Sequence, residues 1–72
     1  MKQIEKTLLT TTTPAWTTWV AKDEFGQPFA FDAKPFKDDF DCWILSGQKF
    51  ELLVEDAPLF DSFEDEDLFQ IV

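Results

Sequence analysis

Trp16-Thr17-Thr18-Trp19-Val20-Ala21-Lys22-Asp23-Glu24-Phe25-Gly26-Gln27-Pro28-Phe29-Ala30-Phe31 reads as a β-hairpin. Thr, Trp and Val before the turn and Phe after it suit a pleated, half-buried surface, and Gly26 stands where a short loop needs a left-handed backbone. Along the first strand Trp16, Thr18 and Val20 share one face and Thr17, Trp19 and Ala21 the other, so neither face is wholly polar. Phe29 and Phe31 alternate with Ala30 and Asp32, and the Phe29 and Phe31 face is expected to be the core. A lone hairpin barely holds together in water, so other segments must add strands to it.

Working outward, residues 1–13 combine helically spaced Ile4 and Leu8 with the extended-favouring run Thr10 to Thr13, and residues 1–15 are expected to form a partly ordered N-terminal arm. Residues 16–72 are expected to be a single small β domain. Ala33 to Asp39, with Lys34-Pro35 and a charged cluster, reads as a loop. A second hairpin is expected next: Phe40, Cys42 and Ile44 alternate with Asp41, Trp43 and Leu45, Ser46-Gly47 turns, and Phe50, Leu52 and Val54 alternate with Glu51, Leu53 and Glu55. Asp56-Ala57-Pro58 has the form of a helix start, which places a short helical turn near residues 57–61, and Leu68 to Val72 reads as a last strand. The fold class is all-β or β-rich α+β: a small antiparallel sheet of four to five strands from two hairpins, with the short helical turn. A version with an N-terminal helix is the alternative.

A chain of 72 residues buries only about 60% of its unfolded surface, so its core must be rich in large side chains or shared with a partner. Nine Phe and three Trp supply such side chains, and so many rings leave some on the surface. The single cysteine, Cys42, has no partner for an internal disulfide and reads as a small core residue in a reducing compartment. Residues 1–13 lack the apolar stretch of a secretory signal, and no run approaches the ~20 apolar residues of a membrane span.

Fifteen acids and six lysines give a net charge of −9, distributed as +2 over residues 1–22, −3 over 23–50 and −8 over 51–72. A one-signed acidic field repels phosphate backbones and anionic lipid, which argues against direct binding to nucleic acid or membrane and favours a basic protein surface. Its densest part is Asp61, Glu64, Asp65, Glu66 and Asp67. That run is either a solvated edge that guards the last strand or a docking surface for a basic partner. On an extended strand, alternate carboxylates recur every ~6.6–6.8 Å, so the docking reading extends to mimicry of a DNA backbone. The run has neither the Gly nor the spacing of a calcium loop.

No histidine is present to activate Cys42, a Ser or a Thr as a nucleophile, and pairs such as Asp23-Glu24 and Asp38-Asp39 read as turn residues. The chain is therefore expected to be no enzyme and to carry no cofactor or metal. Trp16, Trp19 and Trp43 occupy a sheet too small to bury every ring, so Trp16 and Trp19, with Phe25 at a turn tip, are candidates for an exposed aromatic interface. The alternative is that the N-terminal arm or the 56–63 segment folds over the second face.

The order Trp19-Val20-Ala21-Lys22-Asp23, Gly26, Phe29 to Phe31, Lys34-Pro35, Trp43, Phe50-Glu51-Leu52, Leu59-Phe60 and Glu64-Asp65-Glu66 resembles a group of short proteins encoded by tailed phages and prophages. Those share a Trp-Val-Ala-Arg-Asp segment, a Gly turn, Lys-Pro and a late acidic segment leading into a final strand. The likeness covers roughly residues 19–72. Lys22 stands where the group favours Arg, Phe25 where it favours Asp or Asn, and Asp67 where Pro is usual; residues 1–15 have no counterpart. The resemblance implies a phage origin and a small β fold, and it implies no reaction. The functional expectation is a non-catalytic accessory protein in the cytoplasm of a bacterial host. It would bind a basic surface of a host protein through Asp61, Glu64, Asp65, Glu66 and Asp67, as an inhibitor of a nucleic-acid enzyme or defence complex. A self-associating assembly module, dimerising through an edge strand or the Trp face, is the alternative.

Overall fold

The computed structural model describes residues 1–72. Its strands are β1 (Lys2–Ile4), β2 (Trp19–Lys22), β3 (Pro28–Phe31), β4 (Phe36–Lys37), β5 (Trp43–Ile44), β6 (Phe50–Leu52) and β7 (Leu68–Ile71), with one short helix, α1 (Ala57–Asp61), before the last strand. The expected small β-rich fold with a helical turn is what forms. Five strands make the main sheet in the order β1-β7-β2-β3-β6, and β4 and β5 make a separate two-stranded ribbon.

The first hairpin has the expected partners, with Trp19 opposite Phe31 and Val20 opposite Ala30. The second hairpin does not form. The alternation over residues 40–55 marks strands without naming their partners, and β6 pairs with β3, placing Glu51 opposite Ala30, whereas β5 pairs with β4 inside the expected loop. The reason lies at the supposed tight turn. Ser46 Oγ–H donates to the Lys34 carbonyl, the Gln48 N–H donates to the Asp32 carboxylate at 3.1 Å, and a Cβ on Gly47 would collide with Asp32 Oδ1. The 46–48 segment is thus held against the end of β3 and leads into β6 without closing a turn on β5.

The sheet is antiparallel except at one edge, where β1 runs parallel to β7. Residues 1–15 begin with that strand, continue through a 3₁₀ turn at Lys6–Leu8, and bend back at Thr10 to Thr13. β7 lies between β1 and β2, and the Val72 N–H donates to the Ile4 carbonyl at 2.9 Å while the Lys6 N–H donates to Val72 at 2.7 Å.

Alternation along the strands decides which face is covered. Val20, Ala30 and Phe69 fall in one row of the sheet, and they form the buried cluster with Ile4, Leu53 and Phe60 of α1. Phe60 meets Phe69 edge-to-face with ring centroids 4.9 Å apart, and Trp16, Leu59 and Phe63 pack around them. The expectation that Phe29 and Phe31 face the core is corrected in part: the helix and the main cluster cover the Val20 and Ala30 side, and on the second face Phe31 is buried with Ala21 while Phe29 is half-buried.

Asp56 ties the N-terminal segment to this layer. It occupies the N-cap position of α1 but makes no side-chain cap bond. Its carboxylate, 3% exposed, instead accepts the Thr10 N–H at 2.8 Å and the hydroxyls of Thr10 and Thr13. The Thr run that suggested extended structure is a turn wrapped on a buried acid.

Candidate partner-binding site

The acidic run does not lie on a strand. Asp61 ends α1, residues 62–67 form turns in which the Glu66 N–H donates to the Phe63 carbonyl, and β7 starts only at Leu68. The strand spacing of carboxylates on which the backbone-mimicry argument drew is absent. The five acids also divide by partner. Glu66 lies 3.3 Å from the amino group of Met1, and Asp67 lies 2.7 Å from Lys37. Asp61, Glu64 and Asp65 are exposed and enter no ion pair.

Of the six lysines, Lys37 alone forms an ion pair with this run, through Asp67. Four of the six sit over aromatic rings: Lys2 over Phe63, Lys22 over Phe69, Lys34 over Trp19 and Lys37 over Trp43. Lys37 also bridges Asp67 and Asp41, so it pins the ribbon to the start of β7. The hydrogen bond to Asp67 chiefly raises its pKa above the ordinary 10.5, with desolvation opposing. The Trp43 indole N–H completes the attachment by donating to the Lys22 carbonyl at 2.6 Å.

The ribbon so held stands at the second face and encloses a cleft. Ala21, Phe29, Phe31, Trp43, Leu45 and Phe50 line its apolar part, and Asp23, Glu24, Phe25, Asp41 and Cys42 line the rest, around a volume of about 320 Å³. Phe50 packs on both Phe29 and Phe31 at centroid distances of 6.4 Å.

Two loops shape that cleft, and they are built alike. In Asp23-Glu24-Phe25-Gly26-Gln27 the Asp23 carboxylate accepts the N–H groups of Phe25 and Gln27, and the Asp23 N–H donates to the Gln27 carbonyl. In Asp38-Asp39-Phe40-Asp41-Cys42 the Asp38 carboxylate accepts those of Phe40 and Cys42, and the Asp38 N–H donates to Cys42. The fourth residue is left-handed in both, Gly26 at φ 80° and Asp41 at φ 63°, a conformation Asp tolerates better than most side chains. The third residue is an outward Phe in both, Phe25 being 80% exposed and Phe40 85%.

Of the aromatics singled out from sequence, Phe25 is exposed and borders the cleft, Trp19 is half-buried under Lys34, and Trp16 packs against the core cluster on the opposite side. Those three are not one patch. Cys42, expected in the core, is an exposed loop residue whose N–H closes the second loop. Phe40, Asp41 and the second loop as a whole were missed, although the recurrence of Asp-acid-Phe at 23–25 and 38–40 was a signal for them. No three or more His, Cys, Asp or Glu side chains converge to hold a metal ion, and no helix is long and apolar enough to cross a membrane. No protein-family model, curated protein or solved structure matches the chain.

Proposed function

We propose that this protein is a non-catalytic accessory protein, of the phage type its sequence resembles, that binds a basic surface of a bacterial host protein through its acidic α1–β7 turn. The observation that carries the reading is that Asp61, Glu64 and Asp65 stand exposed and without ion pairs, while the neighbouring Glu66 and Asp67 are paired within the molecule. Carboxylates left free in a protein of net charge −9 raise the association rate with a basic partner and disfavour acidic ones. Since the run is a turn, the support for a DNA mimic is the charge itself and no longer a strand-like spacing.

The test is affinity capture from a bacterial lysate with the wild type and with the triple variant Asp61→Asn, Glu64→Gln, Asp65→Asn, which leaves the internal ion pairs intact. A protein held at about 0.1 M salt, released at about 1 M where the Debye length falls to ~3 Å, and not held by the variant supports the proposal. A captured protein that the variant retains equally, or one that survives the high-salt wash, overturns it. Self-association is the second reading, favoured by the free edge of β6, where Phe50 and Leu52 are exposed, with Val54 exposed two residues beyond it. A dimer on sizing that persists at high salt would establish it.

A further inference from the structure

The cleft at the second face invites a question separate from the acidic turn: what occupies it. We propose that it is a socket for a partner segment that carries one bulky apolar side chain flanked by lysine or arginine. This rests on the reading that the partner is basic, and adds a second site on the same protein to the turn that attracts it.

Three observations converge. The apolar part of the cleft, formed by Phe29, Phe31, Trp43, Leu45 and Phe50, is large enough at about 320 Å³ to admit a side chain and offers aromatic surface to bury it. Its rim supplies Asp23, Glu24 and Asp41, and because Asp41 is paired with Lys37 at 3.2 Å, Asp23 and Glu24 are the carboxylates left to meet the groups that flank the entering side chain. Both rim loops are fixed by the same bonds from an aspartate carboxylate to two backbone N–H groups, so Phe25 borders the cleft on a preformed loop, and Phe40, outside the lining, marks the tip of the other. A loop backbone set before binding leaves less to be ordered on contact. Charge complementarity selects the occupant: a second copy of this chain would bring its own net −9 to an acidic rim, and an anionic ligand would meet the same repulsion.

The experiment titrates ¹⁵N-labelled protein with three soluble peptides of identical Gly-Ser flanks, whose centres are Lys-Phe-Lys, Lys-Ala-Lys and Glu-Phe-Glu. The Trp43 indole N–H and the Phe25 and Phe40 amides are the reporters. Lys-Phe-Lys is expected to shift all three, and Lys-Ala-Lys to bind at least about tenfold more weakly, the scale of burying one aromatic side chain. Glu-Phe-Glu should bind more weakly still. Phe25→Ala, at an exposed tip, should weaken Lys-Phe-Lys without changing the rest of the spectrum. The triple variant of Asp61, Glu64 and Asp65 should bind Lys-Phe-Lys as the wild type does, which separates this site from the acidic turn. Equal binding of Lys-Phe-Lys and Lys-Ala-Lys overturns the socket, equal binding of Glu-Phe-Glu overturns its basic preference, and concentration-dependent shifts at Trp43 without peptide assign the cleft to a second copy instead.

Discussion

Asp56 and Thr17 are both buried polar residues, and their partners set them apart. Asp56 accepts from the backbone and hydroxyl of Thr10 and the hydroxyl of Thr13, so Asp56→Ala removes three part-buried hydrogen bonds and should cost about 1–3 kcal/mol, read from the urea midpoint. Thr17 Oγ1 is buried and has no hydrogen-bond partner. Thr17→Val keeps the shape and removes that hydroxyl, and should be neutral or stabilising by up to about 1 kcal/mol in the same measurement. Lys37 adds a pH dependence. Its folded pKa lies above the ordinary 10.5, mainly through Asp67, so its contribution is fully present below that value and is lost as pH rises through the higher folded value. Trp43 fluorescence followed upward from pH 9 should report loosening of the ribbon in wild type and no such transition in Lys37→Met. Sequence disclosed the acids at 61–67 but could not divide them, because the Met1 amine and Lys37 that neutralise Glu66 and Asp67 come from remote parts of the chain.

At the level of elements, the first hairpin was legible because strand alternation, a five-residue loop and its left-handed glycine all agree locally. The pairing of β6 was not. A period of two marks a strand equally well whichever neighbour it joins, and the choice of β3 was made by Asp32 gripping the 46–48 segment. The face that the helix covers was misread for a related reason: Ala30 looks unlike a core residue beside two phenylalanines, yet it falls opposite Val20 in the row that packs with Phe60. The twin loops give a paired prediction. Asp23→Ala weakens the hairpin that carries the main sheet and should lower global stability by about 1–2 kcal/mol in urea. Asp38→Ala acts on a ribbon of two residues per strand, which is too short to persist unaided. It should raise hydrogen exchange locally at Phe40 and Cys42, whose N–H groups lose their acceptor, and leave the urea midpoint nearly unchanged.

For the molecule as a whole, charge and topology dominate. A net −9 with three ion pairs leaves the folded chain under self-repulsion, so its melting temperature should rise as NaCl is increased from about 0.01 to 0.15 M, as the Debye length contracts from ~30 to ~8 Å. A temperature that falls over that range would mean that the ion pairs outweigh the repulsion. The placement of β7 between β1 and β2 escaped the sequence, since the fit of residues 2–4 to residues 69–71 depends on strands from opposite ends meeting only in the folded sheet. That meeting has a mechanical side. β1 and β7 are parallel, so a pull applied at Met1 and Val72 drags one strand along the other in shear and loads the bonds at Ile4, Lys6 and Val72 together. Stretched from its two ends, the sheet holds as a clasp does, its terminal bonds sharing the load, where an antiparallel terminal pair would open like a zip.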